Sequence, residues 1–214
     1  MSEPGEGVLV VGSGGHGTVV LATLQAAGIP VAGLLDDAEE RQGATYLGVA
    51  VIGDLRHLAS HAGPAVLGIG SNAVRRRVAR QYPHVEWRSV VHPQAVVHPS
   101  VQVGAGAVVF AGAIVQPSAV IGPHAIVNTG ATVDHDCTLG AFVHVAPGVH
   151  LSGAVTLGEG AMVGVGGCAL PGVSVGAWAV VGAGGVVVRD LPPNVTAVGA
   201  PARTIKAHPE GWQF

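Results

Sequence analysis

Aliphatic side chains recur at every sixth position from Ala95 to Asp190, and this stretch divides without a gap into sixteen hexads. They begin AVVHPS, VQVGAG, AVVFAG and end GVVVRD. The third position is Val, Ile or Leu in fifteen of them, with Ala169 the exception, and the first is Ala, Val, Cys or Gly throughout. A fixed short period marks a solenoid, and a period of six marks a β-helix. Each hexad predicts a short strand and a corner, with the third side chain inward and Gly, Pro or Asn turning the corner. Three hexads make a triangular coil. Coils stack at the ~4.8 Å strand spacing, so about five of them predict a prism roughly 25 Å tall.

Residues 1–90 carry a different pattern. VLVVG at residues 8–12 reads as a buried strand running through glycines into a helix at about Thr18–Ala27. Further strands are predicted at 31–35 and 65–69, and helices at 54–61 and 72–82. Alternating strands and helices imply a small parallel α/β layer. The expected division is 1–90, 91–190 for the solenoid, and a tail at 191–214 ending in a loop or short helix. The fold class is thus α/β plus all-β.

The chain has 214 residues, 49% hydrophobic, 11% charged and 4% aromatic, with 34 glycines. Glycine follows no three-residue period, which excludes collagen, and abundant Val, Ile and Leu exclude disorder. Two stretches without Asp, Glu, Lys or Arg, 89–133 and 161–188, are long enough to span a membrane. Gly, Pro, Ser and His interrupt both, and the six-residue period rejects that reading. A net charge of −3 argues against a nucleic-acid partner. The leader MSEPGEG has no signal-peptide pattern, and two cysteines make no disulfide framework, so a cytoplasmic protein is expected.

Between residues 89 and 188 the only formal charges are Asp134, Asp136 and Glu159. Two of the three flank His135 in ATVDHDC. A carboxylate that accepts one ring N–H fixes the tautomer and raises the basicity of the other nitrogen, which is how a general base is built. His135 holds a corner position. Residues eighteen apart share a corner, so Gly153 is expected one coil above it, where a backbone N–H can serve an oxyanion. Pro147, Val165 and Ala183 form the neighbouring corner column, and a groove between the two columns suits an elongated ligand. His144 and His150 hold outward second positions and read as surface histidines. A metal centre would need several convergent donors, and none is expected. Cys137 and Cys168 read as small packed residues of the wall.

In the α/β layer, Gly12-Ser13-Gly14-Gly15-His16-Gly17 follows a strand and opens a helix, and Asp36 and Asp37 follow about twenty residues on. Glycines admit a phosphate to the backbone, and the helix N-terminus favours its charge. The aspartates suit a ribose or a base. About ninety residues are too few for a full dinucleotide fold, so one nucleotide moiety is expected rather than NAD. A second turn, Gly68-Ile69-Gly70-Ser71-Asn72, opens an arginine-rich helix. Its arginines read as a solvated face, with Arg75 near enough to the turn to help bind phosphate.

The GSGGHG loop, the Asp36-Asp37 pair, the GIGSN turn and a hexad solenoid carrying VNTGATVDHDC, in that order, resemble the bacterial nucleotide-amino-sugar N-acetyltransferases. These include bacillosamine and perosamine N-acetyltransferases and the sialic acid O-acetyltransferase-like proteins. The resemblance implies a small Rossmann-like domain followed by a left-handed parallel β-helix. It implies transfer of acetyl from acetyl-CoA to the 4-amino group of a UDP- or GDP-linked 4-amino-4,6-dideoxy sugar. The alternative it leaves open is O-acetylation of sialic acid or a related hydroxyl. His135 then matches the general base, Asp136 its acidic neighbour and Gly153 the oxyanion glycine. His144, Val165 and Ala183 match positions that contact acetyl-CoA. Gly14, Gly15, His16, Asp36, Asp37, Gly70 and Asn128 match the nucleotide-sugar site, and VGAPAR the segment closing the CoA site. The resemblance also implies a homotrimer with its sites between solenoids. Thr18 departs from the pattern, because many relatives carry a basic residue there.

Overall fold

The computed structural model describes residues 7–209, 212 and 213. Met1–Glu6 of the leader, and Glu210, Gly211 and Phe214 of the tail, lie outside them. The N-terminal layer is a six-stranded sheet made of β1 (Val8–Val11), β2 (Val31–Leu35), β3 (Thr45–Tyr46), β4 (Val49–Gly53), β5 (Pro64–Leu67) and β6 (Glu86–Trp87). Its order is β3-β4-β2-β1-β5-β6. Helix α1 (Gly15–Ala26) follows β1, and α2 (Asn72–Gln81) follows β5. The predicted helix at 54–61 is instead a short 3₁₀ turn, Leu55–Ala59, capped by the Asp54 side chain. The β3–β4 hairpin was not expected. It is short, and Leu47 and Gly48 turn it with positive φ, as a two-residue type I′ hairpin requires at both central residues.

The rest of the chain winds into three stacks of parallel two-residue strands. The first face runs from Val90–Val91 through Val108–Val109, Ile126–Val127, His144–Val145 and Met162–Val163 to Val180–Val181. The second runs from Val96–Val97 to Val186–Val187, and the third from Gln102–Val103 to Ser174–Val175. Pairing joins residues eighteen apart, as with Ile126 to His144 and Thr132 to His150. Third-position residues such as Val133, Leu139, Val145 and Val163 fill one continuous core. Sixth positions turn the corners left-handed, as in Gly130, Asp136, Phe142 and Gly148. Glycine takes that conformation freely, and aspartate tolerates it.

The faces differ in what their second positions offer. On the first face, Val108 and Ile126 lie in one buried cluster with Val20, Leu21 and Leu24 of α1, so the α/β layer covers it. The third face presents Gln102, Thr138, Thr156 and Ser174 to solvent. The second presents Val96 and Ile114, 64% and 37% exposed among the described residues. Cys137 is buried as expected. Cys168 is half-buried, because it holds an outward second position on the second face. The tail forms no helix among the described residues. Val195–Val198 extends the first face, and Arg203–Ala207 returns antiparallel along it.

Candidate functional site

A cleft of about 370 Å³ opens where the glycine loop meets the GIG turn. Gly14, Gly15, His16, Asp36, Asp37 and Gly70 all line it. The two aspartates do different work. Asp36 Oδ2 accepts from the Ser13 N–H (2.8 Å), the Ser13 hydroxyl (2.7 Å) and Arg41 (3.0 Å), and Oδ1 accepts from the Ala38 N–H. Burial pushes its pKa up, but the bonds from Ser13, Ala38 and Arg41 outweigh that and hold it below the usual carboxylate value. Asp36 therefore shapes the loop and has little left for a ligand. Among the described residues Asp37 accepts one hydrogen bond, from the Leu55 N–H through Oδ1, and it lines the cleft.

Arg75 does not reach the cleft. It is 1% exposed and lies between the α/β layer and the solenoid. Its guanidinium donates to the carbonyls of Ile69 and Gly70 on one side and of His124, Phe142 and Val143 on the other. Burial lowers its pKa to about 9, so it is cationic at neutral pH. Asn72 donates to the Gly160 carbonyl, and Arg76 pairs with Glu159 at 2.8 Å. The third charge of the solenoid thus anchors α2. The solvated arginine face expected from sequence holds only for Arg77 and Arg80.

His144 is not a surface histidine either. It lies on the covered first face, with its ring 6.1 Å from His16. The Thr129 N–H donates to Asn128 Oδ1 (2.8 Å), which turns the Asn128 amide nitrogen toward His144 Nε2 (3.1 Å). Nε2 must then accept, so the ring proton sits on Nδ1. The Gly70 backbone also bonds this ring. Burial, then the charge of Arg75, lowers the pKa of His144 to about 3 and of His16 to about 4. Both rings are neutral at any ordinary pH. His144 therefore gathers with His16, Gly70 and Asn128, away from His135.

His135 stands at the corner between the second and third faces. Its Nδ1 meets Asp136 Oδ2 at 2.8 Å, and its own N–H is taken by Asp134 Oδ1. Asp136 has φ 59°, and this left-handed turn swings its carboxylate beside the ring. The ring lies on Gly153, as the eighteen-residue spacing predicts. A Cβ on Gly153 would sit 2.6 Å from Cε1 and 2.7 Å from Nε2, so only glycine leaves room for the imidazole. Fifth-position amides lie outside the strand ladder, which is why proline is accommodated at 117, 123, 147 and 171. Among the described residues no acceptor meets the Gly153 N–H. Val165 is 55% exposed on the other edge of the second face, in one column with Pro147 and Ala183. Among the described residues no three metal-ligating side chains converge, and no helix is long and apolar enough to cross a membrane.

The bond to Asp136, then the charge of Asp134, raises the pKa of His135 above 6.5. A general base must be neutral, so activity should rise with pH through that raised value and plateau above it. Asp136→Asn removes the carboxylate. The acidic limb of kcat/KM should then move to lower pH, with a lower plateau, and a pH–rate profile of both proteins checks this.

Comparisons with known proteins follow the same geometry. A family model described as the PglD N-terminal domain matches residues 7–82. PerB from Caulobacter crescentus, solved with CoA and GDP-perosamine, is 43% identical with a TM-score of 0.87, over 94% of this chain and 97% of that one. The acetyltransferase domain of PglB from Neisseria gonorrhoeae is 38% identical with a TM-score of 0.89, over 94% of this chain and 100% of that one. It has also been solved with acetyl coenzyme A. An uncharacterized protein of Acanthamoeba polyphaga mimivirus is 29% identical over 100 residues, which are 46% of this chain and 20% of that protein. The α/β layer, the solenoid and their order agree with the first two along nearly their whole length, and the chain belongs to the nucleotide-amino-sugar N-acetyltransferases, a family of enzymes built on the left-handed β-helix.

Proposed function

We propose that this protein transfers acetyl from acetyl-CoA to the 4-amino group of a nucleotide-linked 4-amino-4,6-dideoxy sugar. The observation that carries the reading is His135, held by Asp136 through Nδ1 with Nε2 open above Gly153. The amine nitrogen attacks the thioester carbonyl carbon while His135 Nε2 takes its proton. The Gly153 N–H stabilises the oxyanion, the C–S bond breaks, and the imidazolium returns the proton to the departing CoA sulfur. Residues 1–90 bind the nucleotide sugar and 91–190 bind acetyl-CoA and perform the chemistry. The tail, 191–214, closes the CoA site. Acetyl-CoA lies along the column of Val165 and Ala183. His144, locked by Asn128 and Gly70, sets the floor between cleft and cofactor. The supply of both substrates places the enzyme in the cytoplasm.

The working unit of this reading is a homotrimer. His135 and the cleft occupy opposite edges of the second face: His135 at its border with the third, the cleft near Asn128 at its border with the first. The second face is apolar at its N-terminal end, where Val96 and Ile114 are exposed, and carries the bonded pair Thr132 and His150 further along. His135 is 60% exposed, too open to hold a substrate alone. Three prisms with their second faces inward bury that surface and bring the cleft of one copy beside His135 of the next.

The test is thiol release from acetyl-CoA against UDP- and GDP-linked 4-amino-4,6-dideoxy sugars, with free sialic acid alongside. Release with one amino sugar, and an amide in the product, is the expected result. Release with sialic acid alone would replace N-acetylation by O-acetylation.

A further inference from the structure

Two arginines line the nucleotide cleft, Arg41 and Arg77. Arg41 is committed to Asp36 at 3.0 Å. Of its neighbours on α2, Arg75 is committed to five carbonyls and Arg76 to Glu159, while Arg80 is solvated, 4.0 Å from the same carboxylate, and does not line the cleft. Among the described residues Arg77 has no ion pair or hydrogen bond. It is exposed, and it borders both the cleft and the adjoining hollow.

The rest of the lining supplies little positive charge for a diphosphate. Gly14 is the N-cap of helix α1, with no side-chain cap and no acidic residue in the first turn, and among the described residues no acceptor meets the N–H groups of Gly15 and His16 beside the cleft. A helix N-terminus supplies about half a positive charge, and a diphosphate brings two negative ones. Asp36 and Asp37 line the same cleft and repel it. Thr18 adds no charge, since its hydroxyl turns back to the Gly14 carbonyl at 3.2 Å.

We propose that Arg77 meets the diphosphate of the nucleotide sugar and makes this cleft select nucleoside diphosphates over monophosphates. The proposal rests on the nucleotide-sugar reading of the cleft. The guanidinium fork can donate to two phosphate oxygens at once and adds a full positive charge to the partial one of the helix terminus. Arg77 lies one turn beyond Ala73 on α2, and its exposure lets it be replaced without disturbing the core.

The test compares Arg77→Gln with Arg80→Gln, which removes the same charge one turn away from the cleft. Calorimetric titration with UDP, UMP, GDP and GMP gives the preference for diphosphate over monophosphate of the same base. That preference is expected to fall about tenfold or more in Arg77→Gln and to stay at the wild-type value in Arg80→Gln. KM for the nucleotide sugar should rise to match, with kcat and the acetyl-CoA KM within about twofold of wild type. An unchanged preference in Arg77→Gln, or an equal loss in both variants, overturns the proposal. Failure of the wild type to bind any of the four nucleotides would overturn the cleft reading and this proposal together. Nucleotide binding without turnover would overturn the acetyl transfer alone, and the titration would still judge Arg77.

Discussion

His135→Ala is expected to lower kcat about 10²–10⁴-fold, the range that general-base assistance supplies, while acetyl-CoA still binds. The imidazole touches Gly153 and Asp136 and is otherwise in solvent, so its removal leaves no cavity in the solenoid core. Thermal unfolding should therefore move little, which separates a catalytic loss from a folding one. Residual turnover should come from the Gly153 N–H and from bound substrates held in register. His135→Asn keeps a polar side chain at the corner but no base of suitable strength, and should lose as much as alanine. Steady-state kinetics with CoA-binding titration checks both. Turnover within a few-fold of wild type in either variant would remove His135 from the mechanism.

Arg75→Met should be the most destabilising exchange in the α/β layer. Methionine fills much of the same space but donates nothing: the Val143 carbonyl keeps the Ile126 N–H and Gly70 keeps its bond to the His144 ring, while the carbonyls of Ile69, His124 and Phe142 lose their donor. A buried carbonyl left without a donor costs about 1–3 kcal/mol, and relaxation can relieve only some of them, so a loss of about 3 kcal/mol or more is expected. Those carbonyls belong to the GIG turn and to two coils of the solenoid. The expected signature in urea is thus a layer that melts before the β-helix, two transitions in place of one. Arg75→Lys keeps the charge but offers a single ammonium with no fork, and should recover part of the loss. A single transition at the wild-type midpoint in Arg75→Met would show that the guanidinium does not hold the two parts together.

Much of the solenoid was legible because its inward position obeys a period that no tertiary contact can shift. Val133, Leu139 and Val145 had to point inward once the coil was fixed at eighteen residues. The same arithmetic placed Gly153 over His135. Charge was legible by contrast, since Asp134, Asp136 and Glu159 stand in an otherwise uncharged stretch. What failed to show was covering. The second position of a hexad points outward whether water or protein lies beyond it, so His144 read as a surface residue until α1 was seen to cover the first face. Arg75 failed for the same reason, because its partners are carbonyls, which leave no mark in a sequence. Asp36 reads as a ligand contact and does line the cleft, but its bonds to Ser13, a loop residue twenty-three positions away, leave no mark in the sequence. The tail hairpin was missed because Pro192 and Pro193 end the hexads and the strand at Val195–Val198 no longer keeps their period.

In the proposed trimer each working site joins the cleft of one chain to His135 of the next, and subunit mixing tests that arrangement. Gly15→Glu places a carboxylate at the α1 N-terminus, where a phosphate would bind. Open space surrounds a Cβ at that position, so the fold should tolerate it. It should be inactive alone, as should His135→Ala. Mixed under conditions that exchange subunits, they should recover up to about a quarter of wild-type activity, since a working site then joins an intact cleft from one chain to an intact base from its neighbour. No recovery after demonstrated exchange would mean that cleft and base act within one chain, which contradicts a site shared between subunits.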